Sequence, residues 1–205
     1  MAGRAPRPHR SDGAGHPSSA RFAVVAARFN ERVVKRLLSG ALRALASAGV
    51  PDDAIDVHWV PGSFELPQAA ACLARTGRFQ AIVCIGCVIK GETPHFDFVA
   101  GQAAAGIQRV ALDTGVPATF GVITSLTEEQ AWARAGGEVG NRGEEAAEAA
   151  LQMAEWVRSI QNGGAAGRSP ARLSTSPAAE RASRGHVRLD QATRGPRRPQ
   201  GPRYK

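Results

Sequence analysis

The chain has 205 residues, 43% of them hydrophobic, enough for one sizeable core but short for two when domains run to about 100 to 200 residues. Its net charge of +8 would suggest a nucleic-acid binder, yet residues 1–20 hold three Arg against one Asp and residues 162–205 hold ten basic against two acidic groups, leaving the span between slightly acidic. That distribution excludes a polyanion-binding domain; no apolar run approaches the roughly 18 residues of a membrane span, and three cysteines without a hydrophobic leader point to a reducing, cytoplasmic setting.

Residues 1–20 are rich in Arg, Pro, Gly, Ser and Ala and cannot bury enough apolar surface to offset the entropy of ordering, so disorder is expected there. Their Arg-rich, acid-poor composition is also that of an organellar transit peptide, although Gly and Pro break any amphipathic helix. From Phe22 strand and helix patterns alternate, which predicts a single domain over residues 21–161 built on a parallel sheet with crossover helices. Phe22 to Ala27 is the first apolar strand. Arg28, Phe29 and Asn30 form a loop, with Asn30 as N-cap of a helix whose Val33, Val34, Leu37, Leu38, Ala41, Leu42 and Leu45 share one face and which stops at Gly49 and Pro51. Ile55 to Val60 is the second strand, broken by Pro61-Gly62. Ser63 is expected to cap a helix that turns Leu66, Ala69, Ala70 and Leu73 inward and tolerates Pro67 in its first turn.

Ala81 to Ile89 is apolar without alternation, the mark of a parallel strand covered on both faces, and is expected at the centre of the sheet. Thr93 as N-cap and Pro94 at the first helical position start a long helix through Phe96, Val99, Ala103, Ile107 and Val110. Residues 118–124 form the fourth strand. Thr127 and Gln130 read as a capping box for a short helix ending near Gly136-Gly137, and Asn141 opens an Ala-rich helix carrying Ala147, Leu151, Ala154 and Val157. Residues 162–205, again Arg-, Pro- and Gly-rich, are expected to be a disordered tail. Its Arg194, Arg197 and Arg198 could meet polyanions, but a charge run is more often a solvated tail.

Ligands of open α/β sheets sit outside the carboxyl ends of the strands, so the loops following them are the first candidates for chemistry. Lys90-Gly91-Glu92-Thr93-Pro94-His95 combines a cation with the N–H groups and dipole of a helix start, a natural anion site suited to phosphate, and places in the same turn a histidine able to move protons near neutral pH. By position alone His95 could equally be a solvated first-turn residue, Glu65 an acid complementing a helix dipole, and Phe29 a core aromatic. Cys84 and Cys87 resemble a CxxC pair, but alternating strand side chains send their sulfurs to opposite faces, and no second pair completes a metal site. GxGxxG, GxxxxGK[ST] and GxSxG patterns are missing, which removes support for dinucleotide, P-loop and hydrolase chemistry.

Five ordered motifs, Arg28-Phe29-Asn30, Val60-Pro-Gly-Ser-Phe-Glu65, Gly86-Cys-Val-Ile-Lys-Gly-Glu-Thr-Pro-His-Phe-Asp97, Phe120-Gly-Val-Ile-Thr124 and Gly140-Asn-Arg-Gly143, closely resemble the 6,7-dimethyl-8-ribityllumazine synthases over about residues 21–160. The resemblance implies a flavodoxin-like three-layer α/β/α sandwich on a four-stranded parallel sheet, flanked here by the basic tails. It also implies a transferase of riboflavin biosynthesis that needs no metal or organic cofactor and condenses 5-amino-6-(D-ribitylamino)uracil with 3,4-dihydroxy-2-butanone 4-phosphate. On that resemblance Phe29 stacks on the pyrimidine, Ser63, Phe64 and Glu65 line the ribityl chain, and Cys87, Val88 and Ile89 contact the pyrimidine largely through backbone groups. Glu92 (through its backbone N–H) and Thr93 meet the butanone phosphate, Arg134 clamps it, and His95 transfers protons. Phe120 and Arg134 are expected from a neighbouring subunit of a homo-oligomer, pentameric or a multiple up to icosahedral shells of sixty; the short linker from Gly136 to Gly140 is compatible with a shell. Arg142 stands where many members carry Lys, and the resemblance gives it no role.

Overall fold

The computed structural model describes residues 20–163. The expected disorder of residues 1–20 and 162–205 therefore falls, apart from Ala20, Asn162 and Gly163, outside the described residues.

Four parallel strands, β1 (Phe22–Ala27), β2 (Ile55–Val60), β3 (Ala81–Ile89) and β4 (Ala118–Ser125), form one sheet in the order β2-β1-β3-β4. Every residue of β1 and all but the last of β3 are buried, as their unbroken apolar runs require. Helices α1 (Glu31–Ser47) and α5 (Arg142–Gln161) cover one face of the sheet, where Val24, Ala26, Val83 and Ile85 meet Val34, Leu37, Leu45, Ala147 and Ala150. Helices α2 (Leu66–Arg75) and α3 (His95–Thr114) cover the other, where Val25, Ile82 and Cys84 meet Leu66, Ala70, Ile107 and Val110. The result is the expected α/β/α sandwich with flavodoxin-like strand order, and the order reverses direction between β1 and β3.

Period-2 alternation along β3 separates the two inner cysteines as expected: Cys84 packs toward α2 and α3, Cys87 toward α1 and α5. Burial pushes the Cys84 thiol up to about 12, and burial with the nearby Glu128 carboxylate pushes Cys87 up to about 11.

Three expected caps do different work. Asn30 does precede α1, but in the left-handed conformation and without a side-chain bond to the helix; its amide points instead to β3. Ser63 opens a 3-10 turn, Ser63–Glu65, that precedes α2, and Glu65 rather than Ser63 occupies the position before that helix. α3 begins at His95, so Pro94 sits one step earlier than expected and the Thr93 side chain caps nothing. The caps of the last two helices behave as read: the Thr127 hydroxyl accepts from Gln130 N at the start of α4 (Glu128–Ala133), and the Asn141 side chain accepts from Gly143 and Glu144 N at the start of α5. The Gln130 side chain closes back on Leu126 N rather than on Thr127. α4 ends earlier than its pattern suggests, because the chain turns into a small antiparallel hairpin, β5 (Ala135–Gly137) and β6 (Gly140–Asn141), where the sequence pattern suggests only a linker.

Candidate active site

The crevice at the carboxyl ends of β1, β2 and β3 is a cavity of about 620 Å³. It opens where the strand order reverses, the position in which sheets of this class hold ligands. Phe29 enters it from the loop after β1, Ser63, Phe64 and Glu65 from the turn after β2, Cys87, Val88 and Ile89 from the end of β3, and Thr93 and His95 from the approach to α3. Nine of the residues singled out from sequence are thus brought to one cavity. Phe120, Glu92 and Arg134 are not among its lining residues.

Each segment is tied to the next through the backbone. Arg28 N donates to Val60 O at 2.8 Å and Phe29 N to Pro61 O at 3.0 Å, so the β1 loop hangs from the β2 loop. The Asn30 side-chain Nδ2 donates to Cys87 O at 2.9 Å, linking the β1 loop to β3. Lys90 N donates to Ser125 O at 2.8 Å, which holds the start of the 90–95 segment against β4.

The lining divides by chemistry. Phe29, Phe64 and Phe98 are 70%, 55% and 68% exposed, values unusual for aromatic rings unless a ligand or partner covers them. Phe98, on the outer side of α3, was missed in the sequence reading; an aromatic off the inward line of Phe96, Val99 and Ala103 was the available signal. Deeper in, Ser63 is buried and its Oγ has no hydrogen-bond partner within the chain. A Cβ on Gly86 would lie 2.5 Å from that oxygen, so glycine at 86 is what leaves the hydroxyl its place. An unpartnered buried hydroxyl costs stability until a polar ligand group satisfies it. Cys87 borders the cavity while its side chain packs in the core on the far face of the sheet, and a thiol held near pKa 11 is not a nucleophile at neutral pH. His95 is exposed at the first turn of α3, where the helix dipole favours an anion beside it.

Arg134 lies elsewhere on the chain. It follows α4, donates from Nη1 to Gln130 O at 3.0 Å, and borders a second cavity with Arg36, Glu129, Trp132 and Glu138. Arg36 and Arg32 both stack over the Trp132 ring, at 5.8 and 5.7 Å from its centre. Arg142, whose N–H donates to Arg134 O, pairs through its guanidinium with Glu145. Phe120, 42% exposed, stands on the edge strand β4. Among the described residues no group of three or more His, Cys, Asp or Glu could hold a metal ion, and no helix is long and apolar enough to cross a membrane. A family model described as 6,7-dimethyl-8-ribityllumazine synthase matches residues 19–158, more than half of the chain.

Proposed function

Since the chain belongs to the 6,7-dimethyl-8-ribityllumazine synthase family, enzymes of riboflavin biosynthesis, we propose that it condenses 5-amino-6-(D-ribitylamino)uracil with 3,4-dihydroxy-2-butanone 4-phosphate, releasing phosphate and water. The observation that carries the reading is the single cavity in which an exposed aromatic, an unsatisfied buried hydroxyl and a first-turn histidine converge. A flat pyrimidine fits against Phe29, with the β1-side edge of residues 87–89, past the last rung to β1, supplying backbone groups. The polyhydroxylated ribityl chain would run along the 63–65 turn, where Ser63 Oγ gains its missing partner and Glu65 accepts hydroxyl protons.

The butanone phosphate would sit at the start of α3, met by Glu92 through backbone N–H and by Thr93. His95, in the same turn, moves the protons exchanged as the amine and the ketone condense. Arg134 and Phe120 would come from the adjoining subunit of a homo-oligomer, a pentamer or a multiple of it, which accounts for their distance from this cavity in one chain. The three cysteines, Cys72, Cys84 and Cys87, are free, in keeping with a reducing cytoplasm. The test is to mix the two substrates with purified protein and follow fluorescent lumazine and free phosphate together. Both should appear in equal amounts, faster than in the protein-free mixture; a pure, assembled protein that adds nothing to the background rate overturns the proposal.

A further inference from the structure

Among the described residues Asn30 is the sole non-glycine with positive φ, at φ 58° and ψ 40°. The left-handed region is unfavourable for any side chain with a Cβ, least so for Asn, and a residue kept there must be held by its surroundings. The hold is not a helix cap. The side chain crosses to β3 and donates to Cys87 O.

The pairing of β1 with β3 runs from Phe22 opposite Ala81 to Ala26 opposite Ile85 and ends there, whereas β3 stays paired with β4 as far as Ile89 opposite Ser125. Cys87 therefore lies two residues past the last rung on its β1 side, on the strand segment that borders the cavity. Asn30 supplies a donor there after the backbone of β1 has turned away. Its own carbonyl accepts from Val33 and Val34 N, so the residue also anchors the first turn of α1. The preceding residue, Phe29, is thus held twice: by its N–H on Pro61 and by its neighbour's amide on Cys87.

We infer that Asn30 is a positioning residue for the pyrimidine: its amide fixes the separation between the Phe29 loop and the 87–89 edge, and so the slot into which the flat ring inserts. The inference rests on the proposed function. Side-chain chemistry explains the residue type. Glycine would adopt the same φ but has no amide; aspartate tolerates the φ but turns an acceptor toward the Cys87 carbonyl; alanine meets neither need.

The experiment compares steady-state kinetics and melting of the wild type, Asn30→Gly and Asn30→Asp, varying each substrate in turn. Asn30→Gly relieves the backbone while removing the amide, so its melting temperature should stay close to that of the wild type. Its KM for the ribitylaminouracil should rise about tenfold, the equivalent of roughly one hydrogen bond, while its KM for the butanone phosphate stays put. Asn30→Asp, which keeps the shape and sets like dipoles against each other, should show at least the same selective loss. An unchanged pyrimidine KM in a folded variant overturns the positioning role alone, as does a uniform loss on both substrates. A wild-type protein that makes no lumazine overturns this inference together with the functional reading on which it rests.

Discussion

His95 has almost no structural duty. It is exposed, it opens α3, and it borders a cavity whose other walls are mostly aromatic and aliphatic, with Ser63, Glu65 and Thr93 as the polar side chains. Replacing it by Ala should leave folding intact and lower kcat by about 10² to 10⁴, the usual contribution of one proton-transfer group, with the drop smaller if the uncatalysed condensation is fast. The cysteines behave oppositely. Alkylation at neutral pH should label the exposed Cys72 and spare Cys84 and Cys87, with activity retained. Because both inner thiols have folded-state pKa values raised from about 9 to about 12 and about 11, they favour the fold fully below about pH 9 and lose that contribution as pH rises toward those values. Thermal melts between pH 8 and 11 should therefore fall less steeply for Cys84→Ala, measured against its own value at pH 8, than for the wild type. At this scale residue types were legible and their duties less so: Asn30, Ser63 and Thr93 all read as caps, because a polar residue before a helix pattern is the same signal whether its side chain serves the helix or the cavity.

Where α1 and α5 meet, the fold depends on small residues. A Cβ on Gly40 would lie 2.5 Å from the Asn141 side chain, and one on Gly143 would collide with the Leu37 carbonyl. Asn141, buried between them, accepts from Gly143 and Glu144 N and donates to Arg36 O at 3.0 Å, so one amide caps α5 and fastens it to α1. Asn141→Ala should cost about 1 to 2 kcal/mol, read from denaturant melts, since it removes the cap of α5 and the bond that ties it to the Arg36 carbonyl. The same attachment positions the hairpin that follows Arg134, so a rise in the KM for the butanone phosphate should accompany the loss. All four long strands and the five helices were visible in the sequence, because parallel strands covered on both faces leave unbroken apolar runs and the helices keep a 3.6-residue face. The β5–β6 hairpin was not. With three residues in one strand, two in the other and glycine at 136, 137 and 140, it is too short for any alternation to register.

For the whole molecule, one chain gathers Phe29, the 63–65 turn, residues 87–89, Thr93 and His95 but leaves Phe120 on an edge strand and Arg134 beside a different cavity. Motif order in a sequence records which residues serve a site and is silent on which chain supplies them; the family resemblance supplied that expectation, and the fold adds that in one chain the two residues lie outside the cavity's lining. Arg134→Ala should raise the KM for the butanone phosphate about 10- to 100-fold, the worth of a charge-assisted hydrogen bond, with little change for the pyrimidine. The central claim is that His95 of one chain works with Arg134 of the next, and mixing two crippled proteins tests it most directly. His95→Ala and Arg134→Ala subunits, denatured together and reassembled in equal amounts, should place an intact His95 beside an intact Arg134 in about a quarter of the sites of a randomly mixed ring and recover lumazine synthesis in that proportion. Activity no higher than the average of the two variants assembled separately would contradict it.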